Sequence, residues 1–89
     1  MEKMIKILLM VNNQILISQI EEIGADIGEP DCKLINPHIV TEYKEGEYTL
    51  HVFLQKVTKQ DTFMISSDKI LTLADPTPTL LEKYEDLIA

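Results

Sequence analysis

From Ile5 to Val11 nearly every position is apolar, Asn12-Asn13-Gln14 interrupts, and Ile15 to Ile20 resumes with β-branched residues before tapering into Glu21-Glu22. Two apolar runs parted by asparagines predict a β-hairpin, because asparagine tolerates the left-handed backbone that short hairpin loops demand. A two-residue loop sets Met10 opposite Ile15, and a three-residue loop sets it opposite Leu16; a one-residue slip exchanges the two faces. The first strand is apolar on both faces, which points to a barrel or an inter-subunit sheet rather than to a sheet with one wet side.

Gly24, Gly28 and Pro30 end the second run, and Asp26, Glu29 and Asp31 make the connection an acidic loop. Its carboxylate spacing matches no EF-hand pattern, so a solvated loop is expected and no metal site. Lys33 to Thr41 predicts a strand in which Pro37 demands an edge position or a bulge. Lys44-Glu45-Gly46 is a turn, Thr49 to Gln55 a further strand, and Lys56 to Asp61 a polar break. The segment Phe63 to Leu73 reads as strand, tight turn and strand, with Ser66-Ser67-Asp68-Lys69 at the bend. Asp75-Pro76-Thr77-Pro78 stops it, since proline cannot donate a ladder hydrogen bond.

Thr79-Leu80-Leu81-Glu82 has the spacing of a capping box, which predicts a helix over roughly 80–88. Leu80, Leu81, Tyr84, Leu87 and Ile88 form one apolar stripe, with Glu82, Lys83, Glu85 and Asp86 facing away. A helix of two or three turns is marginal alone, so the stripe must dock, most simply on its own β-domain.

Composition narrows the function. Eighty-nine residues with 45% apolar content make a single domain, 1–89, with a thin core and strands within roughly 4–74. Cys32 is alone, which excludes a disulfide and fits a reducing cytoplasm; with no His/Asn constellation around it, it reads as a structural thiol. His38 and His51 read as packed or surface imidazoles. No stretch is long enough for a signal sequence or a membrane span. With 15 acidic residues against 8 lysines and no arginine, the net charge of −7 opposes attraction to phosphate backbones and anionic lipids. No phosphate loop, catalytic triad, metal-ligand spacing or acid/base carboxylate pair is present, so no enzyme activity, cofactor or metal is expected.

Two blocks resemble the Sm-like family. Leu8-Leu9-Met10-Val11-Asn12-Asn13-Gln14-Ile15-Leu16-Ile17-Ser18-Gln19-Ile20 is similar to its first motif, with Asn13 and Ser18 in the two glycine places. In the second motif an apolar run, Arg-Gly, two polar residues and another apolar run follow one another; Ile65, Ser66, Ser67, Asp68, Lys69 and Ile70 take those places, with Ser66 for the arginine and Ser67 for the glycine. The combination is also similar to uncharacterised Sm-like proteins attributed to marine cyanophages and environmental sequences, which would put the chain in a host cytoplasm.

The resemblance implies a mainly β fold: a small, strongly bent five-stranded antiparallel Sm-like barrel, here with a short C-terminal α-helix. It implies a homo-oligomeric ring, of roughly five to seven subunits, joined through the last two strands. Phe63, Ile65, Ile70, Leu71 and Leu73 are the expected subunit interface. It also implies single-stranded RNA bound by Ser66, Ser67 and Lys69 with the loop residues Asp31 and Asn36. The acidic charge supports the alternative of a structural or adaptor ring that meets a basic protein partner without RNA.

Overall fold

The computed structural model describes residues 4–54 and 56–88, with the side chain of Tyr43 outside that description. Six strands and one helix follow in order: β1 (Ile5–Met10), β2 (Ile15–Glu22), β3 (Cys32–Lys44), β4 (Glu47–Val52), β5 (Thr62–Ile65), β6 (Ile70–Ala74) and α1 (Pro78–Ile88), with a short 3-10 turn at Ser67–Lys69. All pairings are antiparallel, along the path β4-β3-β2-β1-β6, and β5 pairs with β3 as well.

Six strands stand where the resemblance implies five, and β3 is long enough to take two of them as partners along one edge. Its first half pairs with β5, from Cys32 opposite Ile65 to Ile35 opposite Thr62, and its second half pairs with β4, from His38 opposite Val52 onward. The sheet is not closed: β5 and β6 are consecutive in the chain yet pair with β3 and β1 and not with each other. The strand expected over Thr49 to Gln55 ends at Val52, and Gln55 lies outside the described residues.

The first hairpin takes neither of the expected registers. Leu9 faces Ile15, so Met10 faces Gln14 across a three-residue loop, with the Gln14 carbonyl accepting from the Met10 amide at 2.9 Å. Asn13 turns the loop at φ 67°, the left-handed step that such a loop requires. The Asn12 side chain accepts from the Gln14 amide at 3.0 Å and holds the turn.

Side chains alternate across the strands, so the sheet has two apolar layers. On the inner face Leu8, Leu16, Ile20, Cys32 and Leu34 form the buried core, with Met10, Ile39, Phe53, Ile65 and Ile70 packed against it. Each fully buried leucine contributes about 2 kcal/mol. Ile17 points the other way from Leu16 and is equally buried, beside His38 in the ladder. That outer face is covered by α1, whose Tyr84 is completely buried and meets His38 edge to face at 5.4 Å. One face of β1 and β2 thus lies on the core and the other towards the helix.

The helix begins one cap earlier than the capping-box spacing predicts. Thr77, not Thr79, is the N-cap: its Oγ1 accepts from the Leu80 amide at 3.3 Å, and Pro78 occupies the first helical position, where a missing N–H costs nothing. Glu82 therefore lies beyond the third helical position that a capping box uses. Along the apolar stripe Tyr84 is buried, Leu80, Leu81 and Ile88 are half-buried, and Leu87 is exposed.

Candidate functional site

β3 carries the feature that organises the surface. Between Ile17–His38 and Gln19–Ile35 the β2–β3 register shifts, so that Asn36 and Pro37 together oppose the single residue Ser18. This is a β-bulge, and it resolves the position of Pro37: bulged inside a doubly paired strand, not at an edge. Asn36 sits at φ 53°, a conformation asparagine tolerates.

Every backbone group the bulge frees is taken up. The Asn36 amide donates to the Asp61 carbonyl at 2.7 Å, and the Pro37 carbonyl accepts from the Phe53 amide at 3.0 Å. Ser18 Oγ lies 3.1 Å from the Ile35 carbonyl, and the Tyr84 hydroxyl lies 2.9 Å from that of Asn36 while accepting from the Gln19 amide at 3.2 Å. Burial pushes the Tyr84 phenol up, partly opposed by the bond from Gln19.

Beside the bulge is a cleft of about 250 Å³, between the end of α1, the end of β4 and the start of β5. Asn36 and His38 line it with Asp61 and Phe63. His38 is buried, with Nδ1 2.8 Å from the Asn36 carbonyl.

A second cleft, of about 310 Å³, lies between the loop before β3 and the 3-10 turn that follows β5. Asp31 spans it: one carboxylate oxygen accepts from the Ser67 amide and the other from the Ser67 hydroxyl, each at 2.7 Å. These bonds from the Ser67 side chain and backbone hold the Asp31 carboxyl below the usual aspartate range. The rest of the lining includes Asp26, Glu29 and Asp68, so the cleft is anionic. A carboxylate lying on the bend does for Ser67 what a bound anion would otherwise do.

The residues expected to meet RNA are therefore divided among three places. Asp31, Ser66 and Ser67 share the anionic cleft, whereas Lys69 borders an apolar recess with Asn12, Leu16 and Phe53, and Asn36 lies at the bulge. The expected interface residues also divide. Phe63, Ile65 and Ile70 turn inward, Phe63 meeting Phe53 edge to face at 5.3 Å, while Leu71 and Leu73 are about half exposed on β6 together with Met64 on β5. The bulge, His38 and Tyr84 were not singled out as a site by the sequence; the signal available was Pro37 inside an otherwise apolar strand.

Among the described residues no group of three or more His, Cys, Asp or Glu side chains is placed to hold a metal ion. Cys32 is buried, and desolvation, aided by the Asp31 and Glu22 charges, pushes its thiol up, away from nucleophilic character. No helix among the described residues is long and apolar enough to cross a membrane.

No curated protein matches the chain. Its sequence does match a family of unknown function (DUF6561) over residues 3–89, essentially from end to end, and the chain belongs to that family.

Proposed function

We propose that the chain is a self-assembling Sm-like β-module of the cytoplasm that acts as an adaptor, its copies joined head to tail in a homo-oligomeric ring of roughly five to seven subunits. The observation that carries this reading is that β5 and β6, consecutive in the chain, each have one partner among the described residues, as does β4. Leu71 and Leu73 lie exposed along β6. Soluble proteins hide or use the edges of such strands, and β5 of one copy meeting β6 of the next is a heterologous contact that satisfies both when the ring closes. The net charge of −7, repeated in every copy, suits a basic protein partner.

Single-stranded RNA is the competing ligand, and the bend at Ser66–Lys69 is what favours it. Against it stand the carboxylates of the bend cleft, Asp26, Glu29, Asp31 and Asp68, which weaken phosphate attraction. Light scattering on the eluting protein tests the assembly: a multimer that Leu71→Lys and Leu73→Lys together break down supports it, and a monomer at micromolar concentration rejects it. Fluorescence anisotropy with U-rich and A-rich RNA, at low and physiological salt, tests the ligand. Pull-down with and without nuclease completes it, since the adaptor requires a nuclease-resistant protein partner.

A further inference from the structure

The cleft beside the bulge joins an apolar wall to a few polar groups, Asp61 and His38 with the side-chain amides of Asn36 and Gln60. Asp61 is the one charged residue on its lining; its Oδ1 accepts from the Thr62 hydroxyl at 3.2 Å, which leaves Oδ2 available. A carbonyl can only accept, so His38 Nδ1 carries the hydrogen towards Asn36, and in the neutral ring Nε2 is then an acceptor. No buried side-chain nitrogen or oxygen among the described residues lacks a partner, so Nε2, for which no partner is found among them, is reached from the cleft. The last turn of α1 contributes Leu87 and Ile88 to the wall and contains no basic residue, so the negative end of the helix is uncompensated there. Val52 and Phe63 supply the apolar part of the wall.

Such a cleft selects a group that brings donors, positive charge and an apolar stem. We propose that it receives an arginine side chain of a partner protein, the guanidinium donating to the Asp61 carboxylate and to His38 Nε2, with the stem against Val52 and Leu87 and Phe63 beside the cation. A guanidinium has five donors in a planar fork and no acceptor, which suits acceptors at Asp61 and His38; an ammonium has three donors and no fork. The chain itself contains no arginine, so a second copy cannot supply that side chain. The proposal rests on the adaptor reading and names the side chain by which the partner is held.

The test is titration of the isotope-labelled full chain with the peptide acetyl-Gly-Arg-Gly-amide, followed by NMR. Matched peptides carry lysine or citrulline, the latter a neutral group of nearly the same shape. Expected are shifts at His38, Asp61, Phe63 and Leu87, binding about tenfold weaker for citrulline, and loss of about fivefold to tenfold in Asp61→Asn. Val52→Lys, which places an amine at the cleft wall, should block binding while leaving the spectrum dispersed, and serves should Asp61→Asn fail to fold. Shifts at Asp31 and Asp68 instead, equal binding of citrulline, or silence at about 10 mM peptide overturn the proposal. Light scattering on the same samples separates the two claims: a monomer that binds in the cleft rejects the ring alone, and a ring without cleft shifts rejects the arginine site alone.

Discussion

The Tyr84 hydroxyl lies 2.9 Å from the carbonyl of Asn36, joining the middle of the C-terminal helix to a bulge 48 residues earlier in the chain. The same oxygen accepts from the Gln19 amide on β2, so one phenol ties three elements together. Its ring is fully buried against His38, so the helix is fixed by a polar contact at the tip and by packing along the body.

Tyr84→Phe keeps the packing and leaves the Asn36 carbonyl and the Gln19 amide each short of a partner. The expected loss is about 1–3 kcal/mol, read as a lower urea midpoint with an unchanged slope. Tyr84→Ala adds a cavity and should lose about 3–5 kcal/mol. Equal midpoints for Tyr84→Phe and the parent chain would remove the hydroxyl from the account.

The bond from Ser67 to Asp31 makes stability depend on acid. The Asp31 carboxyl titrates lower in the folded chain than in the unfolded one, so its contribution is present above the unfolded value, about pH 4, and is lost as pH falls through the folded value. Urea midpoints measured from pH 6 down to pH 2.5 should therefore fall less steeply at the acid end for Asp31→Asn than for the parent. Parallel curves would count against the contact.

Tyr84 predicts the opposite limb. Its phenol titrates higher when folded, so the stability it gives is complete below about pH 10 and declines as pH rises from there through the folded value. The ultraviolet phenolate signal of the folded chain should then rise in two stages, with one tyrosine late. Tyr84→Phe should abolish the late stage.

Leu54, just after β4, holds φ 56°, a conformation that is costly for a branched, bulky residue, while its side chain is a little under half exposed. Leu54→Gly removes about 1–2 kcal/mol of backbone strain and adds a smaller unfolded-state entropy cost, so a net gain of up to about 1 kcal/mol is expected. Asn13 offers the control, because Asn13→Val places a β-branched residue in the same backbone region and should cost about 1–2 kcal/mol. Thermal unfolding of the two variants would show shifts of opposite sign.

Cys32 should resist a disulfide reagent such as Ellman's at pH 8 in the folded chain and react at once in urea, since its thiol is buried and its pKa raised. Fast reaction without denaturant would place it on an accessible surface.

How far these features can be read from the chain depends on whether their cause is local. Asn12 and Asn13 announce the first hairpin because its loop is closed by neighbours; its register differs because the three-residue loop takes in Val11 and sets Gln14 opposite Met10, a matter of turn geometry. Thr77 and Thr79 both suit a cap, and Pro78, favoured at the first helical position, is the residue that decides between them. Pro37 signals a bulge, yet what the bulge is for depends on Ser18, Asp61 and Tyr84, which no short-range pattern connects. The segments of β4 and β5 are each marked by the apolar pattern, whereas their meeting β3 in succession is non-local. The bend at Ser66–Lys69 was legible as a bend, whereas the carboxylate lying on it comes from a loop 36 residues away.

The pairing of β1 with β6 has a kinetic consequence. Strands β1 to β4 follow one another as neighbours, so they can form from short loops, but bringing Leu8 beside Leu73 means closing almost the whole chain. That step comes last on topological grounds, and pulse-labelled hydrogen exchange should find the β6 amides protected after those of the β1–β2 hairpin. Until it happens, β6 has no fixed edge to offer. A nascent chain in this way presents no ordered β6 until the rest of its sheet is in place.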